Sequence, residues 1–173
     1  MFSGILKSQM ALGGTLQEHV ERLNAAMHGA LMGRSLIAFE MGELDAAGRG
    51  LLSANAGCPY PYHYRAATGD VVELQVDAYP LGARPDTRYD VIDIRLVPGD
   101  RVVFYSDGIP EAEDADDGQF GYERTAETVR QACSDDLSAE ATIDRLLEAV
   151  AAFRGDVPQS DDMTCVVVRV EDT

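Results

Sequence analysis

Residues Arg101 to Glu111 read RVVFYSDGIPE. Val102, Val103, Phe104 and Tyr105 are apolar at consecutive positions, the pattern of a strand covered on both faces and hence central in its sheet. Asp107 follows at the end of that strand, where a carboxylate costs free energy unless a cation or several hydrogen bonds compensate it. Gly108 lets the backbone turn beside it, and Pro110 forbids the strand from continuing. Asp-Gly after a strand is also the ordinary sequence of a turn, so this stretch alone leaves both readings open.

A second apolar run, Met163 to Val170 (MTCVVVRV), reads as a closing strand covered on both faces, and it opens with Asp161 and Asp162. If the two strands are antiparallel neighbours, Asp107 and Asp161 meet at one edge of the sheet. Carboxylates brought that close call for a divalent cation, and hard oxygen ligands with open positions suit Mg²⁺ or Mn²⁺. The alternative is that Asp161 and Asp162 cap a turn.

Between and around these strands the period of the sequence changes. Thr15 and Glu18 have capping-box spacing, and Leu16, Val20, Leu23, Met27 and Leu31 form one helical stripe. Gly13 and Gly14 separate this helix from an earlier one over Phe2 to Leu12. From Ser35 to Leu96 come short strand-like segments, SLIAFEM, GLLSANAG, YPYHYR, VVELQV and YDVIDIRL, joined by turn-rich stretches such as GELDAAGRG, AATGD and LGARPDT. Short connections predict an antiparallel meander. Asp90, Asp93 and Arg95 alternate with apolar neighbours and predict one wet face on the last segment. Residues 121–133 and 138–153 read as two further helices, the second capped by Ser138, with Ile143, Leu146, Leu147, Val150 and Phe153 on one side and ended by Gly155.

The chain's 173 residues suit one domain with a sizeable core. The net charge of −16 argues against nucleic acid and against an anionic membrane surface. The absence of a long apolar run or a signal-type N-terminus reads as a soluble, cytoplasmic chain. The acidic run Glu111 to Asp117 (EAEDADD) reads as a solvated loop with Ala112 and Ala115 as spacers. Cys58, Cys133 and Cys165 lack metal-ligand spacing and read as small core residues. His19, His28 and His63 are scattered and form no nucleophilic triad.

Five stretches, in order along the chain, together resemble the metal-dependent (PPM-type) protein serine/threonine phosphatases in their bacterial SpoIIE-like branch. They are SANAGCPYPYHYR (Ser53 to Arg65), YPLG (Tyr79 to Gly82), LVPGDRVVFYSDGIPEAED (Leu96 to Asp114), FGYER (Phe120 to Arg124) and PQSDDMTCVVVRV (Pro158 to Val170). The resemblance implies an α+β fold, an antiparallel β-sandwich flanked by helices, with a binuclear Mn²⁺ or Mg²⁺ site at one end. It implies that Asp107 and Asp161 are metal ligands, that Asp162 supports them, and that Gly108, Asn55 and Gly57 shape the surroundings. No side chain would be the nucleophile: the metals would lower the pKa of a bound water, whose hydroxide attacks phosphoserine or phosphothreonine on a regulatory protein such as an anti-sigma-factor antagonist.

Two departures qualify these expectations. The chain opens just past the position of the family's first Asp-Gly metal motif and its opening strands. It is therefore expected to be the C-terminal portion of a single such domain spanning residues 1–173, with an incomplete metal site and sheet edges that a homodimer could cover. Cys58 stands where the branch usually has the histidine of Asn-Ala-Gly-His. A catalytically impaired module that binds a regulatory partner is the competing expectation.

Overall fold

The computed structural model describes residues 2–32, 34–45 and 49–171. Ala46 to Gly48 of the expected turn, and Met1, Asp172 and Thr173 at the ends of the expected domain, lie outside the described residues. The fold class is α+β, with helices and two antiparallel sheets. The residues group into two compact units, one reaching to Cys58 and including Gln75–Leu96, the other formed by Pro59–Leu74 with the chain from Val97 onward.

The first unit opens with helices α1 (Phe2–Met10) and α2 (Leu16–Leu31). The capping box forms as expected: Glu18 N donates to Thr15 Oγ1 at 3.2 Å, and Thr15 N donates to Glu18 Oε2 at 2.9 Å. Leu16, Val20, Leu23 and Met27 are buried, and they pack with Ala54, Ala56, Leu81 and Tyr89 into one core. Each of the buried Leu, Val and Met side chains stabilises the fold by about 2 kcal/mol through area removed from water. Leu31, the last of the stripe, is only half-buried. The core's sheet has the order β1 (Phe39–Leu44), β2 (Gly50–Ala56), β5 (Ile92–Arg95), with β2 paired antiparallel to both neighbours. On β5, Asp93 and Arg95 face solvent between half-buried Ile92 and Ile94, giving the expected wet face.

The second unit holds β3 (Tyr62–Arg65), β4 (Asp70–Glu73), β6 (Arg101–Tyr105) and β7 (Cys165–Arg169) in the order β4-β3-β6-β7. Strand β6 is central, and Val102 and Val103 are fully buried. Helices α3 (Gly121–Ser134) and α4 (Ala139–Arg154) pack on this sheet, α3 against β3 and β4 and α4 against β7. Ser138 caps α4 as expected, its hydroxyl accepting Ala141 N at 3.1 Å. The Tyr62 and Tyr105 rings stack at 5.0 Å in the core, and Phe120 meets Phe153 edge-on.

The start of β6 is closed by polar groups. Asp100, 3% exposed, accepts bonds from His63 Nε2 (3.0 Å), Ala66 N (2.9 Å) and Val97 N (3.1 Å). Its neighbour Arg101 is buried across the Tyr64 ring, donating to Gly99 O and Leu137 O and pairing with Asp136 at 2.7 Å.

Several sequence expectations are corrected. The strands between Ser35 and Leu96 form no single meander: only β1–β2 and β3–β4 are hairpins, and β5 returns to β2. A short connection restricts a strand to nearby space but does not oblige it to pair with its predecessor. Strand β7 is not covered on both faces; it is an edge strand, and Val166 is 51% exposed. Ala112 is no spacer in a wet loop but is buried among the Tyr62 and Ile109 core, leaving the other residues of the acidic run at least partly exposed. Of the cysteines, Cys133 is buried, while Cys58 and Cys165 are half-buried. Leu147 on α4 is exposed, so the helix's buried stripe is narrower than expected.

Candidate metal centre

Strands β6 and β7 are antiparallel neighbours, with Tyr105 opposite Cys165. Their pairing continues beyond the strands through Ser106: its N donates to Thr164 O at 3.0 Å, its hydroxyl donates to Asp162 O at 3.0 Å, and the same hydroxyl accepts Thr164 N at 2.9 Å. One side chain thus extends the ladder by a rung and fixes the chain on either side of it. Asp107 follows immediately on one strand, and Asp161 and Asp162 precede Thr164 on the other.

Gly108 is needed here for close approach. A Cβ at this position would lie 2.5 Å from Asp162 O, a distance real Cβ atoms essentially never show, and a tight 3.1 Å from its carbonyl carbon. The Asp-Gly pair therefore lets one backbone press against the other. The turn that follows is held by Ile109 N to Ser106 O (3.2 Å) and Glu111 N to Asp107 O (3.0 Å), with Ile109 fully buried.

The carboxylates themselves are open to solvent. Asp107, Asp161 and Asp162 are all exposed, which corrects the expectation of a desolvated Asp107. The physical reason is that β6 ends at Tyr105 and the turn carries Asp107 past the covered part of the sheet. Asp107 Oδ1 accepts Gly108 N at 3.0 Å and Asp161 Oδ1 accepts Asp162 N at 2.7 Å, each bond fixing its own carboxyl locally. The Oδ2 atoms of Asp107 and Asp161 have no hydrogen-bond partner among the described residues. A shallow hollow of about 370 Å³ is lined by Gln159, Ser160, Asp161 and Asp162, and Gln159 Nε2 donates to Asp161 O at 2.7 Å.

As a donor set, these exposed carboxylates suit a hard divalent cation. Among the described residues no three His, Cys, Asp or Glu side chains gather into a metal-holding group, so the residues present fit part of such a site.

Helix α3 borders the same turn. Gly121 N donates to Pro110 O at 2.7 Å and Phe120 N to Ala112 O at 2.8 Å, while Tyr62 Oη donates to Tyr122 O at 3.1 Å. Burial, and then the carboxylates of Glu111, Asp107 and Glu73, hold the Tyr122 phenol above its usual range, so this half-exposed ring belongs to the surroundings of Asp107. Neither Ser106 nor Tyr122 was singled out from the sequence. A lone hydroxyl between an apolar strand and Asp-Gly was the available signal for Ser106, whereas nothing in the order of residues pointed to Tyr122.

Asn55 and Gly57 lie in the other unit and act on their own loop. Asn55 Oδ1 accepts Cys58 N at 2.8 Å and its Nδ2 donates to Cys58 O at 2.9 Å. Gly57 has φ +84°, and a Cβ there would lie 2.5 Å from Pro80 Cγ. The Asn-Ala-Gly stretch is thereby shaped to sit against the YPLG stretch.

The arrangement of helices and antiparallel sheets is that of the PP2C, or PPM, phosphatase domains. The SiaA-PP2C domain of Pseudomonas aeruginosa superposes with a TM-score of 0.82 at 22% identity, covering 98% of this chain and 68% of that one. The PP2C phosphatase domain with a regulatory fragment of the cell fate determinant SpoIIE from Bacillus subtilis gives 0.75 at 21% identity, covering 98% of this chain and 48% of that one. The catalytic domain of the serine/threonine protein phosphatase PstP, in complex with two manganese ions, gives 0.66 at 18% identity, covering 99% and 81%. Within that class the chain belongs to the Stage II sporulation protein E (SpoIIE) family, whose family model matches residues 1–171. No curated protein matches it. No helix among the described residues is long and apolar enough to cross a membrane.

Proposed function

We propose that this chain is a metal-dependent protein serine/threonine phosphatase domain that acts on phosphoserine or phosphothreonine of a regulatory protein in the cytoplasm, such as an anti-sigma-factor antagonist. The observation that carries this reading is the Ser106 rung, which fastens the Asp107-Gly108 turn to the Asp161-Asp162 segment. Membership of the SpoIIE family supports the reaction class, and the manganese ions of the PstP domain support the choice of cofactor.

Asp107 and Asp161 would hold Mn²⁺ or Mg²⁺, with Asp162 in support. When bound, the metal supplies Lewis acidity that makes water a competent nucleophile at phosphorus near neutral pH. The chain's own residues supply position. Gly108 keeps the two backbones in contact, Ser106 locks their register, and the Gly121–Pro110 bond holds Tyr122 beside the turn. Asn55 and Gly57 keep their own loop in shape.

A second reading, a module that binds a regulatory partner without turnover, is favoured by one observation: the acidic side chains at this edge fall short of a three-ligand group among the described residues. Calorimetric titration with Mn²⁺, followed by hydrolysis of a phosphoserine peptide in the same samples, separates the two. Binding with turnover supports the enzyme. Binding without turnover leaves part of a metal site in an impaired module, and the absence of both removes Asp107 and Asp161 from the metal assignment.

A further inference from the structure

Tyr122 stands beside the Asp107 edge and takes no part in holding the metal. It is the second residue of α3, and its side chain is 47% exposed. The backbone on which it stands is fixed from two sides. From the core, Tyr62 donates through Oη to Tyr122 O at 3.1 Å. From the turn after Asp107, Pro110 O accepts Gly121 N at 2.7 Å and Ala112 O accepts Phe120 N at 2.8 Å, with Ala112 and Phe120 both buried. These two bonds are the base of a hairpin over residues 110–121, continued by the Glu113–Gln119 bridge and by Asp114 N to Gly118 O at 3.0 Å. A half-exposed ring on so constrained a base gives up little freedom when a ligand covers it.

The surroundings of the ring are acidic. Glu111 follows Pro110 and Tyr122 follows Gly121, so the two residues flank one hydrogen bond, and Glu111 N is itself tied to Asp107 O at 3.0 Å. Glu73 stands opposite Tyr62 in the β3–β4 register. The carboxylates of Glu111, Asp107 and Glu73 all act on the phenol, which therefore stays protonated and presents a neutral ring. Glu111 is exposed and forms no ion pair among the described residues. Arg124, the arginine in the first turn of α3, is engaged elsewhere: its guanidinium lies over the Phe153 ring at 4.8 Å and donates to Gln119 O and Phe120 O.

We infer that Tyr122 and Glu111 recognise an arginine or lysine side chain lying within two residues of the phosphorylated residue in the substrate protein. The inference rests on the phosphatase reading for the place of the phosphate, and adds to it the residues that choose among substrates. A phosphate brought to this edge is repelled by the same carboxylates that surround Tyr122. A cation on the same segment offsets that repulsion, and it gains an aromatic face and a carboxylate together. A neutral neighbour gains neither, and an acidic one is repelled by Glu111, so the discrimination has an attractive and a repulsive part.

The test compares two fluorescent peptides that carry a non-hydrolysable phosphonate analogue of phosphoserine, one with arginine on each side of it and the other with citrulline, arginine's neutral counterpart. Binding to the whole chain in Mn²⁺ is read by anisotropy. The arginine peptide is expected to bind at least about 5-fold tighter. Tyr122→Leu and Glu111→Gln, both at exposed positions, should each remove most of that preference, whereas Tyr122→Phe, which keeps the ring, and Asp116→Asn at the hairpin tip should leave it. Equal binding of the two peptides, or no binding of either, would overturn the inference. So would a preference that survives in both Tyr122→Leu and Glu111→Gln, or one that falls as far in Asp116→Asn, since it would then reflect only the net charge of −16. Loss in Tyr122→Phe as large as in Tyr122→Leu would replace the ring contact by the hydroxyl and overturn it as well. Phosphate release from the matching phosphoserine peptides is measured separately: release without preference sinks the recognition alone, and preference without release sinks the phosphatase reading while the recognition stands.

Discussion

Strand β6 begins and ends with an aspartate, and the two ends are opposites. At the start, Asp100 is almost without exposed surface, and its two oxygens accept three hydrogen bonds from His63, Ala66 and Val97. At the other end Asp107 is exposed, and its side chain accepts one bond from the very next amide. A buried carboxylate with most of its acceptor sites used by its own protein, and closed off from solvent, is a structural part. An exposed one held in place by neighbouring backbone contacts, with an oxygen to spare, is available for chemistry. Burial alone does not mark a functional acid; unspent acceptor capacity in a fixed place does.

The largest effect should come from the closed end. Asp100→Ala removes the acceptor for two amides and for His63 in a site closed to water, and is expected to destabilise the protein by about 4 kcal/mol. Urea unfolding would check this, and a loss below about 1 kcal/mol would show that water or a rearranged turn replaces the carboxylate.

Glu40 lies between these extremes, since it is largely buried but accepts only the Ser53 hydroxyl at 3.1 Å. Burial pushes its carboxyl up from its ordinary 4.5 to about 7, the single hydrogen bond offsetting part of the rise. The folded state therefore holds the proton more tightly than the unfolded one. Stability attributable to this group is fully present below about pH 4.5 and is lost as pH rises through about 7. Glu40→Gln is expected to be about 3 kcal/mol more stable than the parent at pH 8 and nearly equal to it at pH 4. Parallel stability curves for the two proteins across that range would remove Glu40 from the comparison.

How much of this was legible from the order of residues follows the same division. Continuous apolar runs revealed β6 as a central strand, and cap residues such as Thr15 and Ser138 placed their helices, because these signals are local. The antiparallel neighbours that bring Asp107 toward Asp161 were readable as a condition on two strands, which the register meets. Partition of the strands between two sheets was not readable, since residues 57–61 look like any short connection but lead from one sheet to the other. The exposure of Asp107 was misjudged for a related reason: the apolar pattern describes β6, while the fate of the residue after it depends on where the sheet ends. The Asn24 contacts with Arg84 and Pro85 join residues far apart in the chain, and no periodicity announces them.

An intermediate effect is expected at the junction itself. Gly108→Ala places a methyl group against the Asp162 carbonyl, which is backbone and has little freedom to give way. The two segments must then separate, weakening the Ser106 bonds, at a cost of about 2 kcal/mol. Affinity for Mn²⁺ should fall along with stability if Asp107 and Asp161 act jointly on one ion. Stability lost with unchanged affinity would mean that the close approach serves only the fold.

The smallest effect on stability, and the one that most sharpens the contrast between the two ends, is expected for Asp107→Asn. The amide oxygen can still accept the Gly108 N–H, the site is exposed, and no buried partner is stranded, so stability should change by less than about 0.5 kcal/mol. Replacing the carboxylate removes a negative charge and a hard anionic ligand, and Mn²⁺ binding by calorimetry should disappear. A variant as stable as the parent yet unable to bind the ion would establish that this end of β6 carries an acid the fold does not require. Retained affinity would shift the metal toward Asp161 and Asp162, and a loss of stability comparable to that of Asp100→Ala would show that the two ends of the strand are alike after all.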